Sequence, residues 1–167
     1  MYKRQRLKRE EIKADRQYPF ALLREELQEH MFDKVQLMLD ERMIKGTFTN
    51  GTEYTVLATV LNMNRDIVRR LQSFDFTKKN PKMVVLCTGE QPCSLEDAIL
   101  MTFLNLVGFD IALFVPTGYQ TIERYLNGNY PVEHQIGEYV YDLQVPDFSA
   151  LPPVKRSWLE NILKRGN

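Results

Sequence analysis

The sequence predicts an α/β domain: a Rossmann-like βαβ core with a small parallel sheet, preceded by a helical N-terminal region. Three observations carry that expectation. Lys82-Met83-Val84-Val85-Leu86-Cys87 and Asp110-Ile111-Ala112-Leu113-Phe114-Val115 are short, mostly apolar runs of strand length. Between them, Leu95 to Val107 is helix-length and almost wholly apolar after Asp97. The whole unit spans 34 residues, Lys82 to Val115, the size of a strand–helix–strand crossover. Ahead of it, Phe20, Leu23, Leu27, Met31, Val35 and Met38 recur at intervals of three and four, the face of an α-helix.

Residues 1–18 read as a basic arm. Positions 1–17 hold seven basic and three acidic residues, a net of +4, and few apolar side chains. Without aromatic interleaving this is expected to be a solvated helix or linker, not a nucleic-acid contact. Residues 19–167 form one α/β domain, divided into a helical part (19–76), a βαβ core (77–145) and a C-terminal extension (146–167). The helix that begins near Phe20 is expected to run toward Gly46. His30, four residues after Glu26, is expected to pair with it on the helix surface. Asn50-Gly51 marks a turn, Thr52 caps a further helix, and Asn64 divides that helix in two. The two halves are expected to pair as a hairpin beside the sheet.

The apolar character of the first run predicts a strand buried on both faces. A right-handed crossover makes the two strands parallel. Ser94 caps the intervening helix with Asp97 three residues on, and Gly108 ends it. After Pro116-Thr117-Gly118 a further helix is expected over Gln120 to Leu126, closed by Asn127-Gly128-Asn129. Tyr139-Val140-Tyr141 suits an edge strand. The tail, Val154 to Arg165, has the pattern of an amphipathic helix.

Composition limits the function. The 167 residues are 44% hydrophobic and 26% charged with zero net charge, which excludes a wholly disordered chain and a whole-molecule attraction to nucleic acid. No run approaches a membrane span, and no apolar signal core stands at the N-terminus, so the chain reads as cytoplasmic. Cys87 and Cys93 are the two cysteines. They lack metal-site spacing, and a disulfide between them would close a tiny loop, so two free thiols are expected.

Parallel sheets bind ligands beyond the carboxyl ends of their strands. Two polar loops fall there: Thr88-Gly89-Glu90 with Ser94 at the helix start, and Thr117-Gly118-Tyr119. Glycine lets backbone amides approach a ligand, helix N-termini favour anions, and Tyr119 can stack on a ring. A small anionic or phosphorylated ligand fits this set. No GxGxxG or GxxxxGK[ST] motif is present, and the simpler explanation is that the glycines turn the chain while Ser94 and Thr117 cap. His134, flanked by Glu133 and Gln135 with Glu138 four residues on, can shuttle a proton or serve as a hydrogen-bonded structural histidine. Glu90 and His134 are thus the candidate proton-transfer residues if the chain is an enzyme, a transferase on a nucleotide-like or sugar-like substrate. No metal site is apparent and no cofactor can be assigned.

The strings Glu90…Ser94-Leu95-Glu96-Asp97-Ala98, Gly108-Phe109-Asp110-Ile111, Val115-Pro116-Thr117-Gly118-Tyr119 and Pro131-Val132-Glu133-His134-Gln135 resemble the C-terminal region of the bacterial YceG-like family. The likeness runs from about residue 20 onward and is strongest over 82–143. It implies a component of a "biosynthetic module" encoded beside tellurite-resistance and stress genes, acting with toxic-anion-resistance proteins of the TelA and TerD types. It brings no catalytic residue set. Members of that family are longer, so the chain is expected to be a piece of such a protein or a short relative. A small sheet also leaves an edge open to missing strands or to a homodimer. A non-catalytic protein-interaction domain is the alternative function.

Overall fold

The computed structural model describes residues 6–75, 78–88, 93–128, 130–144 and 147. Helix α1 (Arg9–Lys13) leads through a 3₁₀ turn, Pro19–Leu22, to α2 (Glu25–Asp40), α3 (Thr52–Leu61) and α4 (Arg65–Ser73). Then come β1 (Lys82–Leu86), α5 (Leu95–Val107), β2 (Asp110–Phe114) and a second 3₁₀ turn, Ile122–Tyr125. Helices thus precede a two-stranded sheet among the described residues, and β1 pairs with β2 in parallel, from Lys82 against Asp110 to Leu86 against Phe114.

Helix α5 is the centre of the core. Its start is closed by a capping box in which Ser94 Oγ accepts from the Asp97 amide at 3.1 Å and Asp97 Oδ2 accepts from the Ser94 amide at 2.9 Å. Its end is closed by Gly108 at φ 124, a conformation that a side chain would resist. Between these caps Ala98, Ile99, Met101, Phe103, Leu104 and Val107 are buried. They pack against α2 and α3, while Met83, Val85, Ile111 and Leu113 of the sheet lie against the same core. Each large side chain so removed from water contributes roughly 1.5–3 kcal/mol before ordering costs.

The helical part departs from the periodicity at its ends. Leu23 is extended and Arg24 precedes the first turn, so α2 begins five residues after Phe20, whose ring anchors the 3₁₀ turn in the core. The helix stops at Asp40, well before Gly46. Arg42 turns left-handed at φ 50, and the Met43 amide bonds back to Met38. The chain is then held by Ile44, which bridges to Leu126. Gly51, at φ 78, is the residue ahead of α3, so Thr52 is its first helical residue and not its cap. Glu53 instead accepts from the Phe48 amide at 2.8 Å. Asn64 does cap α4, accepting from Asp66 N–H at 2.7 Å. No helical hairpin follows: α3 packs chiefly on α5, and α4 on the Pro19–Leu22 turn. The apolar surface of α5 takes the face that α4 was expected to cover.

The arm is not merely solvated. Leu7 and Ile12 lie partly buried against the core, and the Leu7 amide donates to Gln36 Oε1 at 2.9 Å. Arg9 pairs with Glu29 and Asp33, each at 2.6 Å, and Lys13 pairs with Glu29. Both cations also lie over the Phe32 ring. Two of the arm's seven basic residues are therefore committed inward. His30 Nε2 lies 3.4 Å from the Val107 carbonyl, so its contact is the end of α5 and not Glu26.

The sheet corrects the expectation that the first strand is buried on both faces. Burial alternates along each strand, and one face carries exposed Val84 (70%), Leu86, Ala112 and Phe114 (50%). Helix α5 packs on one side of two strands; among the described residues no element packs on the other. Downstream, Gln120–Leu126 is no α-helix. Glu123 binds the Thr121 amide at 2.7 Å, a 3₁₀ turn follows, and Lys45 N–H bonds the Tyr125 carbonyl at 2.8 Å, drawing the chain out alongside Ile44. Tyr139-Val140-Tyr141 forms no strand. Among the described residues it makes one backbone bond, from Val140 N–H to the Pro116 carbonyl at 2.9 Å. The expected tail helix, 154–165, lies outside the described residues. No helix of the described residues is long and apolar enough to cross a membrane.

Candidate functional site

Parallel pairing sends both trailing loops to one end of the sheet. The last rung, Leu86 with Phe114, is extended by Cys87 N–H donating to the Phe114 carbonyl at 2.9 Å. Thr88, half-buried, leaves β1 at this point, and Val115-Pro116-Thr117 leaves β2 beside it. Gly89 and Glu90 lie outside the described residues. The opposite end is marked by the exposed Lys82–Asp110 pair at 2.8 Å, where the Lys82 ammonium holds the Asp110 carboxyl below its usual range.

Local chemistry already occupies several of the named groups. Ser94 is exposed, but its hydroxyl serves the capping box and also donates to Asp97 Oδ2 at 2.9 Å. The Glu96 and Asp97 carboxylates stand in the first turn, where they offset the positive end of the helix. Thr117 is buried, and its Oγ1 accepts from the Tyr119 amide at 3.4 Å. Gly118 has φ 67, and a Cβ there would overlap the Tyr139 ring. The close approach that this glycine permits is made by the protein's own tyrosine.

A cluster of aromatic rings results. Tyr119 and Tyr141 have ring centroids 6.1 Å apart, tilted by 53°, and Tyr139 covers Gly118 beside them. All three are more than half exposed. Tyr119 was legible as a loop residue after a strand. Tyr139 and Tyr141 were expected in an edge strand; instead the Val140–Pro116 bond brings their segment to the loop. His134 and Glu138 are exposed on the same chain segment. Among the described residues, no hydrogen bond joins His134 to the tyrosines.

A separate open cleft of about 400 Å³ lies between α1, the Tyr18–Pro19 turn and the end of α3. Tyr18 lines it, stacked on Phe32 at 5.9 Å. Its hydroxyl is buried with no partner among the described residues, and burial pushes it up to about 12.

The model of the YceG domain family matches residues 1–158. The chain belongs to the YceG domain family. That match takes in the N-terminal arm together with the helical part and the sheet. The chain is also 30% identical, over 96 residues, to the uncharacterized protein YceG of Bacillus subtilis (strain 168). The aligned part is 57% of this chain and 17% of that protein, so the chain spans under a fifth of the curated relative it matches. No solved structure matches.

Proposed function

We propose that this YceG domain binds a small anionic or phosphorylated ligand at the carboxyl end of its strand pair. The observation that carries the reading is the parallel register, which brings Thr88 and the Thr117–Tyr119 loop to one end of the sheet. The exposed rings of Tyr119 and Tyr141 add a surface on which a base or sugar ring can stack. A nucleotide-like or sugar-like compound satisfies both features. The strand–helix–strand order supports treating the core as a Rossmann-like unit. The family resemblance supports a cytoplasmic role in a tellurite-resistance or stress module, beside proteins of the TelA and TerD types. If a reaction occurs, it is a group transfer with Glu90 or His134 moving the proton.

Thermal shift against nucleotides, sugar phosphates and oxyanions tests the reading. One class should stabilise the protein, and Tyr119→Ala should weaken its affinity on the order of tenfold, as loss of one stacking ring does. A panel with no stabilising compound would sink the proposal.

A second reading has its own observation. Among the described residues, Val84, Leu86 and Phe114 form an uncovered apolar strand face, and the two strands have open edges. A non-catalytic interaction domain, including a homodimer through this face, follows from it. Sedimentation should show self-association that Val84→Lys removes. A wild-type monomer at high concentration would dismiss the homodimer.

A further inference from the structure

The two cysteines are held by different elements. Cys87 directly follows β1, and its amide is tied to Phe114 across the sheet at 2.9 Å. Cys93 directly precedes the Ser94 cap of α5, and its carbonyl accepts from Arg124 Nη2 at 3.4 Å. Their sulfur atoms lie 3.0 Å apart with both thiols free. A disulfide bond is about 2.05 Å long, so sulfur movement of about 1 Å would join them. Cys87 is half-buried, whereas Cys93 is only 8% exposed.

We propose that Cys87 and Cys93 are a redox-active dithiol, a modification site that reacts with a low-molecular-weight disulfide and closes into an intramolecular disulfide. Access sets the order of attack. The Cys87 thiolate attacks one sulfur of the small disulfide. That S–S bond breaks, a new one forms to Cys87, and the released thiolate takes up a proton. Cys93 then gives its proton to solvent and attacks the Cys87 sulfur, expelling the second small thiolate, which is protonated in turn. Two protein thiols are oxidised and one small disulfide is reduced to two thiols, so atoms and electrons balance. Cys93 suits the second role: burial first, and the contact with Cys87 next, push its thiol up to about 12. It is therefore a poor first nucleophile, and it gains a reaction partner only when the adjacent sulfur has been activated. The bond would link the end of β1 to the start of α5 whether or not a ligand binds nearby.

The test is titration of the full 167-residue chain with oxidised glutathione. Free thiols are counted by alkylation after denaturation, and the product is weighed intact. The wild type should lose both thiols together and the mass of two hydrogens, stay monomeric on a non-reducing gel, and recover with dithiothreitol. Cys93→Ser should stop at one bound glutathione, and Cys87→Ser should react on the order of tenfold more slowly than Cys93→Ser. Retention of both thiols in excess oxidant would overturn the proposal. So would a stable glutathione adduct on the wild type, or disulfides formed only between molecules.

Discussion

Helix α5 and the segment from Tyr130 to Gln144 use apolar residues in opposite ways. In α5 the apolar residues face α2, α3 and the sheet, and Phe103 is fully buried. In the later segment Val132, Ile136 (86% exposed), Val140, Tyr141 (63%) and Leu143 face outward, and the chain takes no regular form. Both stretches carry several apolar side chains, although 130–144 is mixed and also holds Glu133, His134, Gln135, Glu138, Asp142 and Gln144. Hydrophobicity orders a backbone only when a surface is present to receive it; otherwise backbone groups are left to water and isolated turns. The exposed stretch is tied to the loop after β2 by the Val140–Pro116 bond, and there it assembles the tyrosine cluster.

The widest separation between these regions should appear in truncations. Phe103→Ala is expected to cost about 3–5 kcal/mol, because it removes a large buried side chain and leaves a cavity. Tyr141→Ala should stay within about 0.5 kcal/mol, since most of that ring is in water. Urea unfolding of both variants checks the contrast. Equal losses would show that the tyrosine segment is as strongly integrated as the core.

The anchor itself offers a smaller and sharper test. Gly118→Ala places a side chain at positive φ and into the Tyr139 ring, and should destabilise by about 1–2 kcal/mol. Adding Tyr139→Ala should return the part due to overlap and leave the part due to backbone strain. If the double variant is no more stable than Gly118→Ala, Tyr139 does not rest on the glycine.

The smallest effect concerns the docked arm. Hydrogen bonds from Lys13, and next from Arg9, hold the Glu29 carboxyl below the usual 4.5. A depressed folded-state value means that the contribution is complete above the unfolded value and lost as pH falls through the folded one. Wild-type melting temperature should therefore fall more steeply below about pH 4.5 than that of Glu29→Gln, with added salt narrowing the difference. Parallel acid limbs would remove Glu29 from the acid response.

Much of the central unit was legible because its signals are local. Ser94 and Asp97 lie one turn apart, Gly108 ends the same helix, and Asn64 caps its own. These motifs work through backbone groups within a few residues, so spacing alone is informative. Thr88 and the Thr117–Tyr119 loop share one end of the sheet through the parallel register, which follows from strand–helix–strand order. Contacts that depend on distant residues were not legible: Ile44 with Leu126, His30 with Val107, Tyr139 over Gly118.

By itself, then, the amino-acid order determined the Asn64, Ser94 and Gly108 caps and the parallel pair, because each rests on short-range hydrogen bonding or on a connection of fixed length. Only the tertiary structure decided which apolar surfaces find cover. Among the described residues it left one face of the sheet open, drew the basic arm onto α2, and brought two thiols separated by five residues to 3.0 Å. Burial and side-chain approach are properties of packed elements, and periodicity along a chain does not say what will be packed against it.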